Sequence, residues 1–131
     1  EKGMCCGVYM SYFYLKALAK CGEYQKVYDL LTSTGHCSWY NMVREGGTTC
    51  FEAWGKDQKI NTSLCHPWAS APISIIIEDI LGISYSDGNK ETLKVSPHIP
   101  QTLKSLEMQI PLLNGCLQVC LSNSFYRWKW L

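Results

Sequence analysis

Between residues 4 and 20 the run MCCGVYMSYFYLKALAK carries apolar side chains almost all the way round a helical wheel. That is the pattern of a helix with neighbours on most sides. Cys21-Gly22 stops it, with glycine where a left-handed cap commonly sits. In the next run, EYQKVYDLL over 23–31, Tyr24, Val27, Tyr28 and Leu31 recur at three- and four-residue steps and predict a second helix with one apolar face. Glu23 falls in its first turn, where a negative charge complements the helix dipole. So tight a connection predicts an antiparallel helical hairpin. A third helix is predicted over 36–43, broken by Gly46-Gly47. A fourth is predicted over ASAPISIIIEDILG, 69–82, with Pro72 tolerated in the first turn and Gly82 ending the run.

Beyond Ile83 the period changes from helix to strand. Ser86-Asp87-Gly88-Asn89 predicts a turn, and Leu93 to Val95 begins a strand closed by Pro97 and Pro100. Leu106, Met108 and Ile110 alternate with Ser105, Glu107 and Gln109. Asn114-Gly115 is the strongest hairpin signal in the chain, and CLQVCL and FYRWKWL follow it as further strands. The expected fold class is therefore α+β. Residues 1–83 form helical hairpins, and residues 84–131 form one or two antiparallel β-hairpins. So small a β piece is marginal alone, and is expected to pack on helices or to complete a sandwich.

Composition narrows the function classes. The 131 residues suffice for one ordinary domain or the end of a larger one, and 47% are apolar, enough for a core. Twelve basic and eleven acidic side chains give a net charge of +1 without any cluster of like charges. Nucleic acid and anionic membrane both require a concentrated basic face, so neither is expected as a partner. The longest uncharged apolar run, ASAPISIII, is far short of the ~20 residues of a membrane span. The opening EKGMCCGVYM has neither the basic start nor the apolar stretch of a signal peptide and does not begin with Met, so the chain is expected to begin inside a longer protein. The eight cysteines lack CxxC spacing; Cys5, Cys6 and Cys21 stand in a helix-like run, and Cys116 and Cys120 on one face of a strand-like one. Buried free thiols are expected rather than disulfides or metal ligands, which favours a cytoplasmic setting, and no metal or other cofactor is implied. Asn61-Thr62-Ser63 is formally a glycosylation acceptor.

Candidate chemistry concentrates in GGTTCFEAWGKDQKINTSLCHPWASAP, 46–72. Glu52 stands among aromatics and short polar residues, where a carboxylate can act as general base or orient a sugar hydroxyl. Its structural alternative is a helix-start carboxylate that satisfies Thr48 or Thr49. His66 follows fourteen positions later, just before Pro67; its alternative is a capping or core imidazole. Trp54 and Trp68 offer indole faces of the kind that stack on sugar C–H groups. Asp57, in a Gly-Lys-Asp-Gln turn, is expected to be solvated. No Ser-His-Asp arrangement, phosphate-binding glycine loop or metal-ligand spacing can be assembled from the chain.

The run GGTTCFEAWGKDQKINTSLCHPWASAPISIIIEDILGI resembles the closing segment of the catalytic domain of bacterial α-L-rhamnosidases of glycoside hydrolase family 78. The shared features are a Gly-x-Thr-Thr-x-aromatic-Glu-x-aromatic stretch, a polar linker, His beside an aromatic with Ser-Ala-Pro, and a helix ending in Leu-Gly-Ile. SYFYLKALAKCGEY resembles the family's penultimate helix pair, and ISYSDGNKETLKVSPHIPQTLKSLEMQIPLLNGCLQV resembles the start of its C-terminal β-sandwich. The resemblance implies an (α/α)6 barrel of six hairpins, with 1–83 supplying its last hairpins and 84–131 part of the sandwich. It implies inverting hydrolysis of terminal α-L-rhamnose, with Glu52 as general base, His66 on the bound rhamnose, and Trp54 and Trp68 as pocket walls. The implied partners are a rhamnose-containing glycoside and the upstream remainder of the barrel, which carries the general acid. Phe51 departs from the tryptophan common before the glutamate. Without that general acid the chain alone is expected to be inactive, and a partial barrel is expected to self-associate through uncovered helix faces. A non-catalytic carbohydrate-binding or structural module, or a six-hairpin glycosidase for another sugar, are the alternatives.

Overall fold

The computed structural model describes residues 3–86, 88, 91–122 and 125–131. Two compact units divide the chain, residues 1–99 and residues 100–131. In the first, α1 (Val8–Lys20) and α2 (Tyr24–Leu31) form the expected hairpin. Gly22 takes φ +80°. The Glu23 amide then bonds the Leu18 carbonyl at 3.0 Å and the Gly22 amide that of Ala19 at 2.9 Å, the paired closure of a glycine-capped helix. The same closure recurs after α3 (Trp39–Arg44), where the Gly47 amide bonds Met42 and that of Gly46 bonds Val43, each at 2.9 Å. Ser38 starts α3 by accepting from the Asn41 amide at 3.2 Å, so this helix begins three residues later than the pattern predicts.

The first helix differs from expectation in length and burial. It starts at Val8 rather than Met4, and its buried stripe is Val8, Ser11, Leu15 and Ala19. Those positions recur at helical spacing and face the interior of the unit, whereas Tyr9, Met10 and Phe13 remain about half-exposed. Apolar side chains all round the wheel thus coexist with burial on one face only. The fourth helix also differs, because it is three pieces. A single 3₁₀ turn, Pro67–Ala69, precedes α4 (Ala71–Ser74), which widens into a π-helical stretch, Ile75–Ile80. The Leu81 amide there reaches the Ile76 carbonyl at 2.8 Å, a span of five residues. Lys16 of α1 ties to this stretch through Glu78 at 2.6 Å and Asp79 at 2.7 Å.

Gly82 ends the run at φ +62°, and β1 (Ile83–Tyr85) pairs antiparallel with β2 (Leu93–Val95). The expected turn at Ser86-Asp87-Gly88-Asn89 includes residues 87 and 89, which lie outside the described residues. This ribbon belongs to the first unit. The change from helix to strand at Ile83 and the break between units at residues 99 and 100 are therefore different places.

The second unit is one antiparallel sheet in the order β3 (Ser105–Leu112), β4 (Gly115–Ser122), β5 (Phe125–Trp130). Leu112 pairs with Gly115, so Leu113-Asn114 is the connecting pair, one position earlier than Asn114-Gly115. Strand alternation puts Leu106, Met108 and Ile110 opposite Leu121, Val119 and Leu117, and these in turn opposite Tyr126, Trp128 and Trp130. The architecture is α+β in the described residues. The thiols are free as expected but not buried: Cys5, Cys21 and Cys65 are exposed and the other five half-buried. Cys5 and Cys21 lie off the buried stripe of α1, and Cys116 and Cys120 alternate onto the sheet face opposite Leu117 and Val119. No helix among the described residues is long and apolar enough to cross a membrane.

Candidate active site

Phe51 anchors the site by being almost wholly buried. Its amide lies 3.3 Å from the Met42 sulfur, and Gly47 leaves the space that its ring fills. The next side chain, Glu52, stays 18% exposed, outside this core contact. The segment is then paired along its length. The His66 amide donates to the Cys50 carbonyl at 2.8 Å, the Glu52 amide donates to the Ser63 carbonyl at 2.9 Å, and the Thr49 hydroxyl bonds the Leu64 carbonyl. These bonds fold 49–52 against 63–66, so residues fourteen apart in sequence become neighbours.

The intervening excursion is pinned from α3. Asn41, fully buried, donates to the Trp54 carbonyl at 2.7 Å and to Glu45 Oε1 at 2.9 Å. Glu45 Oε2 accepts the Lys56 amide at 2.8 Å, and that bond, followed by the one from Asn41, holds the Glu45 carboxyl below the usual carboxylate range. Beyond it, Asn61 takes φ +57° and the Thr62 hydroxyl closes onto the Lys59 carbonyl at 2.6 Å. That turn swings the Lys59 ammonium onto Glu52 Oε1, while the Ser63 amide donates to Oε2 at 3.2 Å.

Glu52 is consequently a partly sheltered carboxylate with both oxygens engaged. The Lys59 ammonium first, then the Ser63 amide, and more weakly the nearby His66 hold its carboxyl below the ordinary range. It is ionised at neutral pH. An ionised carboxylate has about four lone-pair positions; two are occupied here, so proton-accepting capacity remains.

His66 makes no capping bond to the 3₁₀ turn that follows it, and its Nδ1 is buried without a hydrogen-bond partner. A buried polar atom left unpaired costs about 1–3 kcal/mol, and native proteins keep few of them. The imidazole lies 4.1 Å from the Trp68 ring, tilted by 44°, and Trp68 lies 5.2 Å from Tyr9. Tyr9, Tyr12, Phe13, Pro67, Trp68 and Ser70 line a cleft of about 310 Å³.

Of the residues singled out by sequence, the fold brings Glu52 and His66 together and joins Trp68 to His66. Trp54 is placed elsewhere. It is 3% exposed, its indole N–H donates to the Cys6 carbonyl at 2.7 Å, and it meets Trp39 edge-on at 4.8 Å. Its ring and its N–H are both engaged within the core of the described residues. Glu52 bonds Lys59 and Ser63 and begins no helix. Asp57 is exposed, 3.8 Å from His36, as expected for a solvated turn. Sequence reading missed Lys59, Ser63 and Asn41. The signal for Lys59 was Asn61, a residue type that tolerates left-handed backbone and so marks a chain reversal. Among the described residues no group of three His, Cys, Asp or Glu side chains could hold a metal ion.

The family model for the bacterial α-L-rhamnosidase six-hairpin glycosidase domain matches residues 3–80. That is more than half of the chain, and the chain belongs to this glycoside hydrolase family. The match spans Glu52, His66 and Trp68 together with α1, α2 and α3. A search of curated proteins finds no match.

Proposed function

We propose that this chain supplies the general base of an inverting α-L-rhamnosidase, with Glu52 as that base, His66 on the hydroxyls of the bound rhamnose and Trp68 stacking on its C–H face. The observation that carries this reading is the pairing of 49–52 with 63–66, which brings an ionised carboxylate within electrostatic reach of His66, whose buried Nδ1 has no hydrogen-bond partner. In this reading α1 and α2 form one hairpin of a six-hairpin ring, and β3–β5 belong to a sandwich that follows it.

Glu52 takes a proton from a water molecule as the water oxygen attacks the anomeric carbon. Attack comes from the face opposite the glycosidic oxygen. An acid on the preceding hairpins protonates that oxygen as its bond to the sugar breaks. Room for the water requires the two carboxyls to stand about 6.5–9.5 Å apart. Trp54 acts only through the fold, by pinning the excursion between Glu52 and Ser63.

The test is the stereochemistry of the first product. Whole protein from the full reading frame containing these residues is mixed with 4-nitrophenyl α-L-rhamnoside and followed by proton NMR. The β anomer of rhamnose is expected first, with the α anomer appearing only by mutarotation. The α anomer first, or no turnover of the rhamnoside beside turnover of another glycoside, contradicts the proposal.

A further inference from the structure

We propose that Lys59 is the positioning residue of Glu52, its ammonium fixing the carboxylate plane so that the oxygens present their free lone pairs to the attacking water. The inference rests on the reading of Glu52 as general base. Three observations carry it.

The first is that the two carboxylate oxygens are held from two directions. Lys59 engages Oε1 and the Ser63 amide engages Oε2. A single contact leaves rotation about the terminal torsion free, since that torsion is broad; two contacts on different oxygens remove it. The second is that the turn carrying Lys59 has a backbone built for the purpose. Asn61 is the one non-glycine residue with positive φ among the described residues, and the Thr62 hydroxyl closes the same turn onto the Lys59 carbonyl. The third is that Glu52 is sheltered while Lys59 is not: their side chains are 18% and 51% exposed. An exposed lysine ordinarily gains little from an ion pair, so the consequence of this contact falls on the carboxylate it orients.

The charged and titratable groups that face Glu52 are Lys59 and, more weakly, His66. Lys59 is the larger cause of the lowered carboxyl pKa. Its removal therefore raises the pH at which Glu52 loses its proton-accepting form. Lys59→Met leaves His66 in place, so a moved acidic limb reports Lys59.

The experiment measures pH profiles of kcat/KM on 4-nitrophenyl α-L-rhamnoside for the whole protein and for K59M, K59R and E52Q. In K59M the acidic limb is expected to move to higher pH, and plateau kcat to fall about ten-fold, less than the ~10²–10⁴ contributed by a general base itself. K59R is expected to restore both, because guanidinium keeps the charge and the donors. Thermal midpoints are expected to stay together, since exposed ion pairs contribute little to stability. An unmoved acidic limb in K59M, or a K59R profile identical to that of K59M, overturns the inference while leaving Glu52 as base. If E52Q turns over normally, the base reading itself fails, and Lys59 has no base to position.

Discussion

At Asn61 the backbone stands at φ +57°, in a region that costs most L-residues about 1–2 kcal/mol and asparagine less. The turn it permits is what places Lys59 over Glu52. Asn61→Ala is therefore expected to destabilise the protein by about 1 kcal/mol, and Asn61→Gly to be near neutral. Denaturant midpoints of the two variants check this, and equal midpoints for both would remove the backbone argument. The same scale shows where sequence reading stopped. Residue types at Glu52 and His66 pointed to chemistry, but their fourteen-residue separation said nothing about proximity, which depends on main-chain bonds between 49–52 and 63–66. Trp54 and Trp68 read alike as sequence. One fills the core against Trp39 and the other stands exposed beside His66, a difference set by tertiary packing that no local pattern encodes.

The C-terminal ends of helices were the most readable features. Gly22, Gly46 and Gly82 all take positive φ where the hydrophobic period stops, because only the local backbone decides a cap. Equal φ does not mean equal consequence. A Cβ at Gly22 meets nothing within 4 Å, whereas at Gly82 it would sit 1.7 Å from the Ser96 carbonyl oxygen. Gly22→Ala is thus expected to cost about 1 kcal/mol, the left-handed strain alone, and Gly82→Ala about 2–4 kcal/mol, since Ser96 must also move. Urea unfolding of both variants tests the ordering; similar losses would mean that the backbone at Ser96 yields freely. The interior of the fourth helix was less readable. Pro67 and Pro72 were visible, yet the π-helical widening at Ile75–Ile80 gives no periodic signal in so short a run. For α1 the apolar wheel could not reveal that Leu15 faces inward and Phe13 outward.

Across the whole molecule, the change from helical to strand period at Ile83 was plain, because the two periods differ. The boundary between compact units, after Ile99, was not, because the chain beyond β2 returns to the helical part through contacts such as the His98 amide on the Ile80 carbonyl at 2.8 Å. Family membership rests on residues 3–80, the stretch that also carries the candidate site. The central claim is that Glu52 is the base of the rhamnoside-cleaving reaction. Its most direct test is kcat of Glu52→Gln in the full reading frame on 4-nitrophenyl α-L-rhamnoside, with circular dichroism confirming the fold. The account predicts a loss of about 10²–10⁴-fold with the fold intact. Unchanged turnover would contradict it and leave the paired loop as scaffold or sugar grip.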